Sequence, residues 1–360
     1  MSGQCAHGFA GKDMRRVEPH EAAAPSFPWV CMIGNRHRSK RFLPAALLAA
    51  LAAFATPARA ADTIRLAVQK TGTVAWELAV IRAHGYDRDA GLDLVAIELA
   101  SPEAGKVALR GGSADVIVSD WLWVSRERRL GSKLVFYPYS TALGAVMASA
   151  AARITTLADL KGHSLAVAGG PIDKSWLFLQ AALKQDGVDL KTQARVAYGA
   201  PALLAEKTLR GEFDATLNYW NFCASLEARG LQRIAGIEEI LPKLGATGPT
   251  AVLGYVFDET WAARNRDAVD RFIKVARKAK ETLASSDEEW QRIAQLIGVS
   301  DAAVLKVYRD RYRAGIPRRR LADEEADARV LHRVLAKIGG PELVGPVEEL
   351  AGGTFYHPEE

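Results

Sequence analysis

Residues 63–120 and 163–219 carry the same succession of signals, and this internal repeat constrains the fold more than any single motif. Thr63–Gln69 alternates into a strand, the turn at Lys70–Gly72 leads to a helical pattern over Val74–His84, and Leu92–Leu99 reads as a second strand. Ser101, Pro102 and Glu103 supply the cap, the first-turn proline and the first-turn acid of a helix. Gly111-Gly112 breaks that helix before a short strand, Ala114–Asp120, and a further strand follows over Leu134–Tyr139. The second run opens on a capping box at Thr156–Asp159 and a stop at Gly162. Strand His163–Ala168, helix Lys174–Gln185, strand Gln193–Tyr198, helix Pro201–Leu209 and strand Thr216–Tyr219 then follow. Gly112-Ser-Ala-Asp115 and Gly211-Glu-Phe-Asp214 enter the last strand of each run at matching places. Strands separated by single helices predict βαβ units, largely parallel sheets and two α/β lobes. After an apolar strand at Thr250–Phe257 only helices remain: an amphipathic one over Asp267–Leu283, a capping box at Ser286–Glu289, and starts at Ser300, Glu324 and Pro341.

The basic cluster Arg36, Arg38, Lys40 and Arg41, the apolar run Phe42–Ala55 and the small residues of Ala58-Arg59-Ala60 follow the order of a secretory signal cleaved before Ala61. The apolar run falls short of the ~20 residues of a spanning helix and contains Pro44, which argues against a membrane anchor. With Met32 as the start, residues 32–60 are the signal and 1–31 a misassigned start or unstructured leader. The chain holds 47 Lys and Arg against 42 Asp and Glu; residues 1–60 contain eight of the basic and three of the acidic ones, which leaves 39 of each. The basicity therefore belongs to the removed part and gives no reason to expect nucleic acid or acidic lipid as a partner. Of the cysteines only Cys223 lies beyond residue 60, which excludes an intramolecular disulfide in the mature chain.

The stretch Leu157-Ala-Asp-Leu-Lys-Gly-His-Ser-Leu-Ala-Val-Ala-Gly-Gly170 is similar to the "L-x-D-L-K-G-K-x-I-A-V-x-x-G" entry into the second lobe of ABC-importer substrate-binding proteins of the nitrate/sulfonate/taurine class. That class includes relatives that bind thiamine-precursor pyrimidines. The Gly211 entry and the return strand at Leu253 also resemble it, over roughly Thr63 to Ile297. The resemblance implies a type II periplasmic-binding fold, with two α/β lobes joined by a two-strand hinge and C-terminal helices packed on lobe one. It maps lobe one to 61–148 plus 249–360 and lobe two to 149–248. It also implies a periplasmic, monomeric solute-binding component that works with a permease and its cytoplasmic ATPase, without a direct membrane anchor, nucleic acid or cofactor.

Ligands of open α/β sheets sit beyond the carboxyl ends of strands. By that rule lobe one presents Thr71, Gly72 and Trp76 after its first strand, Ser119, Asp120 and Trp121 after its third, and Ser140 near the crossing. Lobe two presents Gly170, Asp173, Lys174, Ser175 and Trp176, then Asn218 and Trp220. Gly169–Ser175 fails the phosphate-loop motif because Asp173 stands where a glycine must precede the lysine. A helix start beside Lys174 and Ser175 suits an anionic group, unless Lys174 simply points to solvent. Four corner tryptophans predict an aromatic-walled cleft for an organic solute. Asp120 and Asp173 either pair with an amine or cap the helices that follow them.

The histidines beyond residue 60 (His84, His163, His332 and His357) lack metal-ligand spacing, and no Gly-x-Ser-x-Gly elbow occurs. No catalytic residue is assigned. The resemblance implies capture of a small organic solute, sulfonate-like or heteroaromatic, as the expected function. The alternative is an enzyme on the same scaffold, similar to pyrimidine-synthase or menaquinone-pathway proteins.

Overall fold

Two five-stranded sheets built to one plan account for the repeat. The computed structural model describes residues 61–69 and 72–358. The signal sequence, its cleavage point and Thr71 lie outside the described residues. β1 (Asp62–Val68) pairs parallel with β2 (Leu92–Glu98), and a parallel bridge from Leu66 to Val116 joins β1 to the start of β3 (Ile117–Asp120). β10 (Leu253–Asp258) lies antiparallel between β3 and β4 (Leu134–Ser140), giving the order β2-β1-β3-β10-β4. The second sheet is ordered β7-β6-β8-β5-β9, from β5 (Gly144–Ala148), β6 (Ser164–Ala168), β7 (Arg195–Gly199), β8 (Ala215–Tyr219) and β9 (Gln232–Gly236). In each sheet the fourth strand is antiparallel and arrives from the other sheet. β5 follows β4 after three residues, and β10 returns after β9. The sequence reading of largely parallel sheets holds for the first three strands of each and fails at these crossing strands. β5, expected at the end of lobe one, pairs with β8 and β9 in the second sheet.

The matching Gly-x-x-Asp turns have a physical role. Gly112 and Gly211 both take the left-handed conformation (φ +69° and +77°), which glycine adopts without steric cost. That turn brings Asp115 back to β1, where its carboxylate accepts from the Arg65 backbone N–H at 2.8 Å. Asp214 accepts from the Ser164 backbone N–H of β6, also at 2.8 Å, and from the Ser164 hydroxyl. Each aspartate pins the first strand of its run to the turn that starts the third.

The helices follow their sequence signals closely: α1 (Thr73–His84), α2 (Pro102–Arg110, capped by Ser101), α3 (Trp121–Arg129), α4 (Lys174–Gln185), α5 (Pro201–Leu209) and α6 (Trp220–Ala228). α7 (Arg266–Ser285) and α8 (Asp287–Ile297) pack on α1, as expected for lobe one. α9 (Ala302–Ala314) also lies against α6, and α10 (Leu321–Gly339) against α4, so the last helices span both lobes. Among the described residues no helix is long and apolar enough to cross a membrane.

The return crossing is gripped from both sides at Ala251. Its N–H donates to Glu324 at 2.7 Å, and its carbonyl accepts the Trp121 indole N–H at 3.1 Å. Burial lifts the Glu324 carboxyl to about 7, against the Ala251 N–H and the charge of Arg319. Over the interval between the ordinary value of 4.5 and about 7 the folded chain holds a proton that the unfolded chain has lost. This contribution is therefore full at low pH and declines as pH rises through about 7, by up to about 3 kcal/mol. Glu324→Gln keeps an acceptor for Ala251 but does not ionise. Urea unfolding of the variant between pH 5 and 8 is expected to lack the loss of stability that the wild type shows as pH rises toward about 7. An unchanged slope would assign that loss to other groups.

Candidate functional site

The carboxyl ends of both sheets meet at an ion pair. Asp120, the last residue of β3, accepts the Trp123 N–H at 2.8 Å as the N-cap of α3, and its second oxygen accepts from Lys174 Nζ of α4 at 2.9 Å. Asp120 takes the cap reading, and its other oxygen is occupied by Lys174 of the chain itself rather than left for an amine of a ligand. Burial works to raise the Asp120 carboxyl, but Lys174, the Trp123 N–H and the charge of Lys106 hold it below its ordinary value. Burial likewise works to lower Lys174, and the charges of Asp120 and Asp173 overcome it and raise the ammonium. Asp173 caps α4 through the Ser175 and Trp176 N–H groups and is raised by burial. Tyr219, at the end of β8, is pushed up to about 12 by burial and by the Asp173 charge. Lys174 does not point to solvent.

Nearer the crossings lies a small pocket, with room for about one water molecule, lined by residues of α1, β4, α6, α7 and α9. Thr73, Tyr139, Ser140 and Trp220 face it, with Glu77, Lys280 and Tyr312 deeper in its wall. Glu77 is 2% exposed. Its carboxylate accepts from the Lys280 ammonium, from Tyr312 at 2.6 Å and from Tyr255 at 3.1 Å. Tyr139 lies beside Glu77, and its ring lies 3.8 Å from Lys280 Nζ. Burial and the Glu77 charge push all three tyrosines well above the ordinary phenol range, so they remain donors. Burial lowers Lys280, against the opposing pull of Glu77. The 2.7 Å hydrogen bond between Tyr139 and Thr73 can be donated by either hydroxyl.

A second small pocket shares Ala142, Trp220 and Gly315 with the first and is bordered by Cys223, Arg233, Glu238 and Arg311. Trp220 lines both. Burial pushes the Cys223 thiol up to about 12, and its sulfur contacts the carbonyls of Ala145 and Asn218, so it stays a thiol at neutral pH.

The predicted site residues divide accordingly. Asp120, Asp173 and Lys174 come together at the strand ends, and Ser140 and Trp220 line the cavity by the crossings. Gly72 caps α1 beside Thr73, and Gly170 faces open space. Ser119 and Ser175 are buried near the pair. Asn218 is spent internally, on the Pro201 carbonyl and the Tyr219 N–H. Three of the four corner tryptophans are packing residues rather than cleft walls. Trp121 and Trp176 are fully buried in one apolar cluster with Leu331 and Leu335 of α10, the helix that covers these corners. Trp76 is 2% exposed and packs edge-on against Trp220, Trp290 and Tyr308. Sequence reasoning missed Thr73, Glu77, Tyr139, Lys280 and Tyr312.

Trp121→Ala and Trp176→Ala are expected to lower the unfolding free energy by about 3–5 kcal/mol each, as core truncations do. Trp220→Ala, at a half-buried wall, is expected to cost clearly less. Urea denaturation of the three variants checks this, and a Trp220 loss as large as the others would make it another core residue.

Comparison with solved structures places this geometry among known folds. The periplasmic aliphatic sulphonate binding protein SsuA from Escherichia coli matches with a TM-score of 0.66 at 19% identity, over 83% of this chain and 93% of that one. The alkanesulfonate-binding protein SsuA from Xanthomonas axonopodis pv. citri, solved bound to MOPS, gives 0.61 at 18% identity, over 82% and 98%. The desulfurization enzyme DSZB gives 0.56 at 15% identity, over 81% and 96%, so the fold by itself does not separate binding from catalysis. Comparison with curated proteins finds no match. These likenesses establish the two-lobed periplasmic-binding fold. The family described as NMT1/THI5 like matches residues 76–289, and the chain belongs to that family.

Proposed function

We propose that this chain is the solute-binding component of an ABC importer. In this reading it captures a small organic solute between its lobes in the periplasm and delivers it to a permease coupled to a cytoplasmic ATPase. The observation that carries the reading is the Asp120–Lys174 pair, which brings the carboxyl ends of two similarly built sheets face to face. The crossings at β4–β5 and β9–β10 give the lobes a hinge, and the small pocket by the crossings presents the Trp220 ring and the Thr73 and Ser140 hydroxyls. Such a mix of an aromatic wall with a few fixed polar groups suits a small organic solute. The names of the sulfonate-binding neighbours support solute capture as the role, and sulfonates are accordingly the first class to test. A closed state with contacts from both lobes lets binding energy shift the opening equilibrium.

A thermal-shift screen of sulfonates, aromatic acids, amines and pyrimidines tests this, together with mass spectrometry of whatever copurifies. A solute held at about 100 times its Kd is expected to add roughly 2.7 kcal/mol of stability and to be recovered unchanged. Trp220→Ala is expected to weaken that shift. Conversion of the stabilising compound into a product would overturn the binding reading in favour of an enzyme.

A further inference from the structure

We infer that the Asp120–Lys174 ion pair is a latch that holds the two lobes closed when no solute is present. The inference rests on the hinged, two-lobed reading above, but the latch needs no solute to act. The partners belong to different sheets: Asp120 ends β3 of the first, and Lys174 opens α4 behind β6 of the second. Lys174 has an acidic neighbour of its own lobe in Asp173, yet its hydrogen bond goes across to Asp120. The reason is that Asp173 is occupied by the first turn of α4 and by Tyr219. Asp120 is divided the opposite way, with one oxygen on the Trp123 N–H of its own helix and the other reserved for the partner lobe.

Burial gives the contact its preference for one state. The side chains are 6% and 28% exposed while paired. Separating the lobes returns both charges to water and abolishes the pair, so its free energy belongs to the closed arrangement alone. Lys106 adds a second positive charge near Asp120 and keeps the carboxylate ionised. An ionic contact at α9 and α6, Arg311 with Glu227, also joins elements packed on different sheets and offers a rival means of holding the lobes. A cleft shut by its own ion pair admits solute only in the fraction of time during which that pair is broken.

Distance measurement between the lobes decides the matter without any ligand. Spin labels at V107C and L203C, on exposed positions of α2 and α5, report the separation by double electron–electron resonance, with Cys5 and Cys31 replaced by serine. The labelled full chain, free of solute, is expected to give one short distance. Lys174→Met, which keeps the aliphatic stem, is expected to add a longer population. Asp120→Asn, which still accepts the Trp123 N–H, is expected to do the same, and the double variant to open no further than either single one. Lys174→Arg is expected to restore the short distance. Circular dichroism identifies any variant that fails to fold, and the two single variants perturb different lobes, so one folded variant is enough. A Lys174→Met or Asp120→Asn distribution identical to that of the parent chain would overturn the latch and leave the C-terminal helices as the closure. Either result leaves the thermal-shift test of solute capture standing.

Discussion

The arrangement of this molecule depends on satisfying one buried carboxylate. Glu77 lies on the inward face of α1 with Val74, Leu78 and Ile81, where an unpaired charge would cost more than the helix gains by packing. Its partners therefore have to be brought to it. Lys280 arrives on α7, Tyr312 on α9, Tyr255 on β10 and Tyr139 on β4. Four elements distant in sequence are fixed around two oxygen atoms, and two of them are the strands that flank the lobe crossings.

The second organising constraint is the exchange of strands. Each sheet is completed by a strand delivered from the other, and that strand is antiparallel because it enters from the opposite side. Neither lobe has its full sheet without the other's connection. The residues Thr141–Leu143 and the segment that passes through Ala251 are thus the links between the two sheets. Ala251 is itself held between Glu324 and Trp121, so α10 and α3 both act on the return crossing.

The repeat was legible because its signals are local. Strand and helix periods, the Ser101 cap and the paired glycine–aspartate turns depend on neighbours within a few residues, and they predict most of the structure to within one or two positions. β5 and β9 were not legible: both are short, and pairing partners far away in sequence define them. The site was half legible. Asp120 and Lys174 stand at strand ends and announce themselves, whereas Trp121 and Trp176 occupy similar corners but are covered by α10, a helix whose docking no local pattern reveals. The missed pair did leave a signal. Glu77 and Lys280 each interrupt an apolar stripe, the latter in line with Ala276 and Leu283, and a charge on such a face calls for a buried partner of opposite sign.

Two buried ion pairs of similar chemistry have different consequences here because of where the chain places their members. Glu77 and Lys280 both belong to elements of the first lobe, so hinge motion leaves their separation unchanged and the pair favours no state over another. Asp120 and Lys174 stand on opposite lobes, and every increment of opening lengthens their contact. Arg311 and Glu227 also join elements on different sheets, but their side chains are 34% and 28% exposed. Water already screens most of what such a pair is worth, so its loss on opening costs little. The buried Asp120 carboxylate has no such alternative unless the lobes part widely enough to admit water. It resists the first, small displacement most strongly and ceases to resist once hydrated, which makes closure by this pair a two-state event rather than a graded one.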